Sequence, residues 1–146
     1  MTETIKVIIP AYNEETSIGK VIKDLPTFVD EIIVVNNNST DATAKNALEA
    51  GATVLSEQIP GYGNACLKGI EYIQQQKTGT DIVVFLDGDY SDYPEELTKI
   101  VAPIIEKNID FVLGSRIKKL RENGAMQPQQ IFGNWLATSL MALFFK

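Results

Sequence analysis

The chain of 146 residues contains no histidine and a single cysteine, Cys66. The first absence removes Ser-His-Asp and Cys-His catalysis, imidazole general bases and His-containing zinc sites together. The second removes an intrachain disulfide and any cysteine metal cluster, a usage that fits the cytosol. Positive charge is also scarce: Lys and Arg number 13 against 19 Asp and Glu, for a net charge of -6. A nucleic-acid partner needs a broad basic field, so the sequence argues against one. No apolar run reaches the roughly 20 residues that cross a bilayer, and the nearest, Ile131 to Phe145, is interrupted by Asn134, Thr138 and Ser139. No basic and apolar leader opens the chain, because Met1-Thr2-Glu3-Thr4 passes directly into a strand pattern. The expected location is cytoplasmic.

What is present is enough apolar residue, 45%, for one buried core, with no repeat or low-complexity tract. The most informative stretch is Asp81 to Glu96, DIVVFLDGDYSDYPEE. Its five apolar residues, Ile82 to Leu86, predict a strand buried on both faces, running into Asp87-Gly88-Asp89 before Pro94 starts a helix. Side chains at i and i+2 of an extended segment point the same way, so Asp87 and Asp89 can converge on one cation, and Gly88 leaves room for a ligand. Hard oxygen ligands of this kind suit Mg2+ or Mn2+, which in turn suit a diphosphate. Taken alone, the same residues also read as an acidic turn that caps the next helix.

The rest of the chain repeats one unit. Ile5 to Ile9 is a β-branched run ended by Pro10; a polar loop, Ala11 to Glu15, then precedes Ile18, Val21, Ile22 and Leu25 at helical spacing. Ile32 to Val35 predicts a second strand, followed by Asn36-Asn37-Asn38-Ser39-Thr40-Asp41 and a helix through Ala44, Ala47 and Leu48 that Gly51 ends. Thr53 to Leu55 predicts a third strand, and Gly61-Tyr62-Gly63-Asn64 leads into a helix with Cys66, Ile70 and Ile73 on one side. After the aspartates, Leu97, Ile100, Val101, Ile104 and Ile105 form an apolar stripe containing Pro103, and Phe111 to Gly114 predicts a fifth strand ended by Ser115-Arg116. Such an alternation implies an α/β domain with a mainly parallel sheet and helices on both faces, and ligands of such sheets bind beyond the carboxyl ends of the strands. Tyr12 and Glu14, Asn36 to Ser39, Asp87 and Asp89, and Arg116 each follow a different strand and should meet at one crevice. The dinucleotide glycine fingerprint is missing from the first strand-helix turn, which disfavours a nicotinamide or flavin enzyme.

In order and spacing, VIIPAYNEE, VVNNNSTDAT, PGYGNACLKGI, FLDGDYSDYPEEL and FVLGSR resemble the nucleotide-sugar half of family-2 glycosyltransferases of the GT-A fold. The nearest branch is that of the dolichyl- and polyprenyl-phosphate sugar synthases. The resemblance covers nearly the whole chain and implies a Rossmann-like three-layer sandwich. It further implies that Pro10, Ala11, Tyr12, Glu14 and Asn37 hold the nucleoside, that Asp87 and Asp89 carry a divalent metal on the donor diphosphate, and that Arg116 lies by phosphate. A guanidinium suits a phosphate fork, although an exposed Arg more simply makes a surface ion pair. Two departures stand out. Asn36 and Asn37 occupy positions where relatives commonly have aspartates, and Ser91 stands where the lipid-phosphate branch often has glutamine. The chain also ends at Phe144-Phe145-Lys146, short of the family's acceptor-binding segments, and so reads as truncated.

The implied reaction is attack by an acceptor oxygen on the anomeric carbon of a nucleotide-diphosphate sugar, UDP-sugar favoured over GDP-mannose, with Asp89 and Arg116 the expected catalytic residues. A lipid phosphate acceptor needs no general base, whereas a glycan hydroxyl does, and Asp92 and Glu95 read as helix-start residues. A polyprenyl phosphate would also engage Lys118, Lys119 and Arg121 at the inner face of a membrane, in a cell-envelope role. Residues 131–145 would then form either an interfacial helix or a packing helix. Two other classes remain open: a non-catalytic nucleotide-sugar-binding fragment, and a sugar nucleotidyltransferase. The latter would be expected to show a glycine-rich loop with Arg and Lys after the first strand, unlike Pro10 to Glu15.

Overall fold

The computed structural model describes residues 3–76, 79–114 and 128–144. Its elements alternate as β1 (Ile5–Ala11), α1 (Ile18–Asp24), β2 (Glu31–Asn36), α2 (Thr43–Glu49), β3 (Thr53–Ser56), α3 (Tyr62–Gln75) and β4 (Ile82–Phe85). A 3-10 turn (Pro94–Glu96), α4 (Leu97–Lys107) and α5 (Pro128–Phe144) complete the order. The chain divides into two compact units, Met1–Val112 and Leu113–Lys146.

In the first unit all pairings are parallel and the sheet runs β3-β2-β1-β4. Central β1 is buried along its whole length, as its unbroken apolar run requires of a strand covered on both faces. On one face Ile5, Val7, Ile9 and Ala11 pack with Ile18, Val21 and Ile22 of α1, Ala47 of α2, and Leu97 and Val101 of α4. On the other, Ile8, Ile33 and Val35 meet Ala65, with Ile70, Tyr72 and Ile73 of α3 alongside. This is the α/β sandwich that the sequence predicts. The strand order reverses at β1, because β2 lies on one side of it and β4 on the other.

Helix α3 is held against the sheet in two ways. A Cβ at Gly69 would stand 2.7 Å from Ile8 Cγ2, so the helix approaches β1 more closely than any side chain there would permit. A polar cluster also joins α3 to three strands. Lys6, the second residue of β1 and 4% exposed, pairs with Glu31 Oε2 at 2.9 Å and donates to Gln76 Oε1. Glu31 Oε1 accepts from Tyr72 Oη at 2.9 Å and from Thr53 Oγ1 at 3.1 Å. Burial pushes the Glu31 carboxyl up, but hydrogen bonds from Lys6, Gln76, Tyr72 and Thr53 outweigh it and leave it below its ordinary value.

Two expectations from the sequence fail here. β4 is buried on one face only, since Val83 and Phe85 are 39% and 44% exposed: α3 covers β1 and β2 but does not extend over the edge strand. Phe111 to Gly114 forms no strand, and Phe111 and Leu113 are exposed. β-branched and aromatic residues favour a pleated, half-buried surface, and this segment has no strand partner among the described residues. Leu48 lies outside the core, because the short α2 turns Ala47 and Thr43 inward instead. In the second unit, α5 exposes Trp135, Leu136, Leu140, Met141 and Leu143. No helix among the described residues is long and apolar enough to cross a membrane.

Two substitutions test how α3 is seated. Gly69→Ala should cost about 1–3 kcal/mol in urea unfolding, because its methyl group displaces Ile8 or the helix; an unchanged midpoint would contradict the close approach. Lys6→Met should cost about 1–3 kcal/mol by removing the cationic partner of Glu31. The sign of the pH effect follows from a carboxyl lowered on folding. Its contribution is fully present above the ordinary value of 4.5 and is lost as pH falls through the lower folded value, so Glu31→Gln should flatten that acid limb.

Candidate functional site

The loops after β1 and β2 are laced together by hydrogen bonds between side chains and backbone. Asn13 Oδ1 accepts from Thr40 N at 2.8 Å, and Ser39 Oγ accepts from Asn13 N at 3.0 Å. Thr43 Oγ1, fully buried, accepts from Glu14 N at 2.7 Å. Glu15 Oε2 accepts from Ala42 N at 3.0 Å, while Asn46 Nδ2 donates back to Glu15 O at 2.8 Å. Burial would raise the Asp41 carboxyl, but hydrogen bonds from Thr43 and from the Glu15 N–H hold it below its usual value. Asn13 and Asn38 take up positive φ, of 57° and 64°, a turn conformation that asparagine tolerates. The asparagine-rich composition after β2 is therefore consumed largely in building loops.

Asn37 shows this most directly. Its side chain is 8% exposed, donates to Glu57 O at 3.0 Å and Ile59 O at 2.8 Å, and accepts from Gly61 N at 2.7 Å. One amide thus fixes the course of residues 57–61 and sets Gly61, at φ 129°, immediately before α3. Across the crevice, β4 ends and Gly88 and Asp89 form a turn, not the extended segment expected for D-x-D. Asp89 Oδ1 accepts from Ser91 N at 2.9 Å. Tyr90 follows at φ 62°, a conformation costing a non-glycine residue about 1–2 kcal/mol, and its hydroxyl is anchored on Asp24 Oδ2 at the end of α1. A Cβ at Gly88 would make only ordinary contacts, at 3.5 Å, with Glu14, Ile9 and Pro10.

These loops enclose a cavity of about 350 Å³ lined by Pro10, Ala11, Tyr12, Glu14, Asn37, Tyr62, Ala65, Asp87, Gly88 and Asp89. It sits at the carboxyl ends of β1, β2 and β4, where the strand order reverses, the usual ligand crevice of such sheets. Of the residues expected at the crevice, the structure brings Pro10, Ala11, Tyr12, Glu14, Asn37, Asp87, Gly88 and Asp89 to this cavity, while Asn36, Asn38 and Ser39 do not line it. Arg116 lies outside the described residues with Lys118, Lys119 and Arg121. Tyr62 and Ala65 line the cavity as well. The Gly61-Tyr62-Gly63 pattern marks the start of a helix and carries no signal for the tyrosine hydroxyl, whose partner is set by where the helix is seated.

That hydroxyl donates to Asp87 Oδ1 at 3.1 Å. Burial, the Asp87 charge and this hydrogen bond hold Tyr62 well above its ordinary value of 10.0, so it stays a proton donor at neutral pH. Three carboxylates, Glu14, Asp87 and Asp89, face the cavity, and no basic side chain lines it among the described residues. Glu14 Oε2 accepts from Ser17 Oγ at 2.9 Å. An anion could enter this acidic cavity only with a cation beside it. Among the described residues no group of three or more acidic or thiol side chains is placed to hold a metal alone. Asp87 and Asp89 do fit a small hard cation that takes its other ligands from phosphate and water.

Residues 6–145 match the Glycosyl transferase family 2. The chain belongs to this family. Among curated family-2 relatives, Protein RfbJ of Shigella flexneri is 38% identical over 82% of this chain and 88% of its own length. The UDP-N-acetylglucosamine--dolichyl-phosphate N-acetylglucosaminyltransferase of Methanococcus voltae is 32% identical over 89% of this chain, which spans 59% of that enzyme. The crystal structure of glucosyl-3-phosphoglycerate synthase from Mycobacterium tuberculosis superposes with a TM-score of 0.62 and 34% identity, covering 71% of this chain and 41% of the synthase. That synthase has been crystallised with Mn2+, UDP-glucose and phosphoglyceric acid, and with Mg2+ and UDP. The family and these neighbours are consistent with the GT-A-type fold.

Thr43→Val tests the lacing of the two loops. It leaves the Glu14 N–H without its acceptor and should cost about 1–3 kcal/mol in chemical denaturation. Wild-type stability in that variant would show that the loops hold their places without it.

Proposed function

We propose that this chain binds a nucleotide-diphosphate sugar across the ends of β1, β2 and β4, with Mg2+ or Mn2+ between the diphosphate and Asp87 and Asp89, and takes part in transfer of the sugar to an acceptor. The supporting observation is the acidic cavity: nucleoside-sized, lined by Pro10, Ala11, Tyr12, Glu14 and Asn37 on one side and by Asp87, Gly88 and Asp89 on the other. Tyr12, 61% exposed at the rim, offers a ring to the base, and Asn37 shapes the wall through the strand-to-helix segment it staples. A divalent cation there neutralises charge that develops on the leaving diphosphate. Arg116, which the family resemblance puts by phosphate, is assigned the same task. A UDP-sugar is favoured as donor, in line with the donors named for two relatives, and GDP-mannose is the competing candidate.

The favoured acceptor is a lipid phosphate such as a polyprenyl phosphate. Its oxygen is already anionic, so attack at the anomeric carbon, with nucleoside diphosphate leaving, needs no protein base. This matters because Glu95 belongs to the turn that starts α4. The acceptor named for the Methanococcus relative, dolichyl phosphate, is of this class. Lys118, Lys119 and Arg121, together with the exposed apolar side chains of α5, support a peripheral membrane contact at the cytoplasmic face.

Calorimetric titration with UDP-glucose and GDP-mannose, with Mn2+ or with EDTA, tests the donor reading. UDP-glucose should bind only in the presence of metal, and Asp89→Asn should lose most of that affinity. Metal-independent binding that survives the substitution would sink the assignment. For the acceptor, transfer to a purified polyprenyl phosphate is expected; transfer only to a free sugar hydroxyl would remove that part.

A further inference from the structure

We infer that Tyr62 is a positioning residue for the metal-side carboxylate, holding Asp87 through one oxygen so that the other is presented to the cation. The inference rests on the donor-and-metal reading above. Among the described residues, the Tyr62 hydroxyl is the one hydrogen-bond donor to the Asp87 carboxylate, at 3.1 Å on Oδ1. Asp87 needs such a partner. Among the described residues β4 is an edge strand paired only with β1, and the turn after it is bounded by a residue at positive φ, Tyr90. By contrast Tyr62 stands on a well-anchored support. Its helix is seated on Ile8 at Gly69, tied to Glu31 through Tyr72, and preceded by a glycine whose N–H is held by Asn37.

A carboxylate fixed through one oxygen keeps its plane and its second oxygen pre-set for a metal, the usual function of partners one step removed from the ion. Phenylalanine at this position would keep the ring that lines the cavity and delete only the hydroxyl, which makes Tyr62→Phe the informative variant. If the hydroxyl instead contacted the donor directly, its loss would weaken nucleotide binding whether or not metal was present.

The experiment is a UDP titration of the full chain across a range of Mn2+ concentrations and in EDTA, for wild type, Tyr62→Phe, Asp87→Asn and the double variant. Circular dichroism checks that each is folded. For Tyr62→Phe the half-saturating Mn2+ should rise about 10-fold, with UDP affinity at saturating Mn2+ unchanged. In the Asp87→Asn background the same change should have no further effect. An unshifted Mn2+ midpoint would overturn the inference, as would equal losses at every Mn2+ concentration or additive losses in the double variant. Absence of Mn2+-dependent UDP binding in the wild-type protein would instead remove the underlying donor reading, and this inference with it.

Discussion

The seat of α3 on β1 is the contact on which most else depends. Gly69 lets the helix lie against Ile8, and the pair of buried Lys6 with half-buried Glu31 closes the polar end of the same interface through Tyr72 and Gln76. Neither element could be moved without leaving charge stranded or apolar surface open. Because the far end of α3 is fixed there, its first turn is carried to the carboxyl ends of the strands. The helix thereby becomes a wall of the cavity, and Tyr62 is delivered to Asp87.

A second constraint is the treatment of backbone polar groups in the loops. Three strand ends must turn at one place, and their unpaired N–H and C=O groups need partners. Asn13, Asn37, Ser39, Thr43, Glu15 and Asn46 supply them. The cavity wall is thus built from side chains whose polar atoms are committed to structure, while Asp87, Asp89 and Glu14 present the charge. Division of labour of this kind explains how a sequence with neither histidine nor a nearby described cation can form a defined acidic crevice. It also places the charge where a divalent ion would fit.

Much of this could be read before any coordinates. The β-branched runs at Ile5, Ile32, Thr53 and Ile82 mark the strands because such side chains suit a pleated sheet surface, and Gly51 marks a helix end for steric reasons. Residues that directly follow a strand were legible as site residues, since parallel topology sends every such loop to one edge. Leu48, Val83 and Phe85 were not. Their burial depends on how far a neighbouring element reaches, and Leu48 sits on a helix only seven residues long. Phe111 to Gly114 illustrates the same limit, because strand propensity describes a fit to a partner that the segment's own residues do not specify.

The order of apolar runs and polar loops, by itself, determined the α/β class, the edge of the sheet that would carry the site, and the aspartates and loop residues gathered there. Only the tertiary structure decided that Asn37 is spent on backbone groups of residues 57–61, that β4 is covered on a single face, and that a tyrosine hydroxyl from another element rests on Asp87. The reason is physical. Periodicity and turn chemistry act between residues close in sequence, whereas these outcomes are set by contacts between residues 20 or more apart, such as Asn37 with Glu57 and Tyr62 with Asp87.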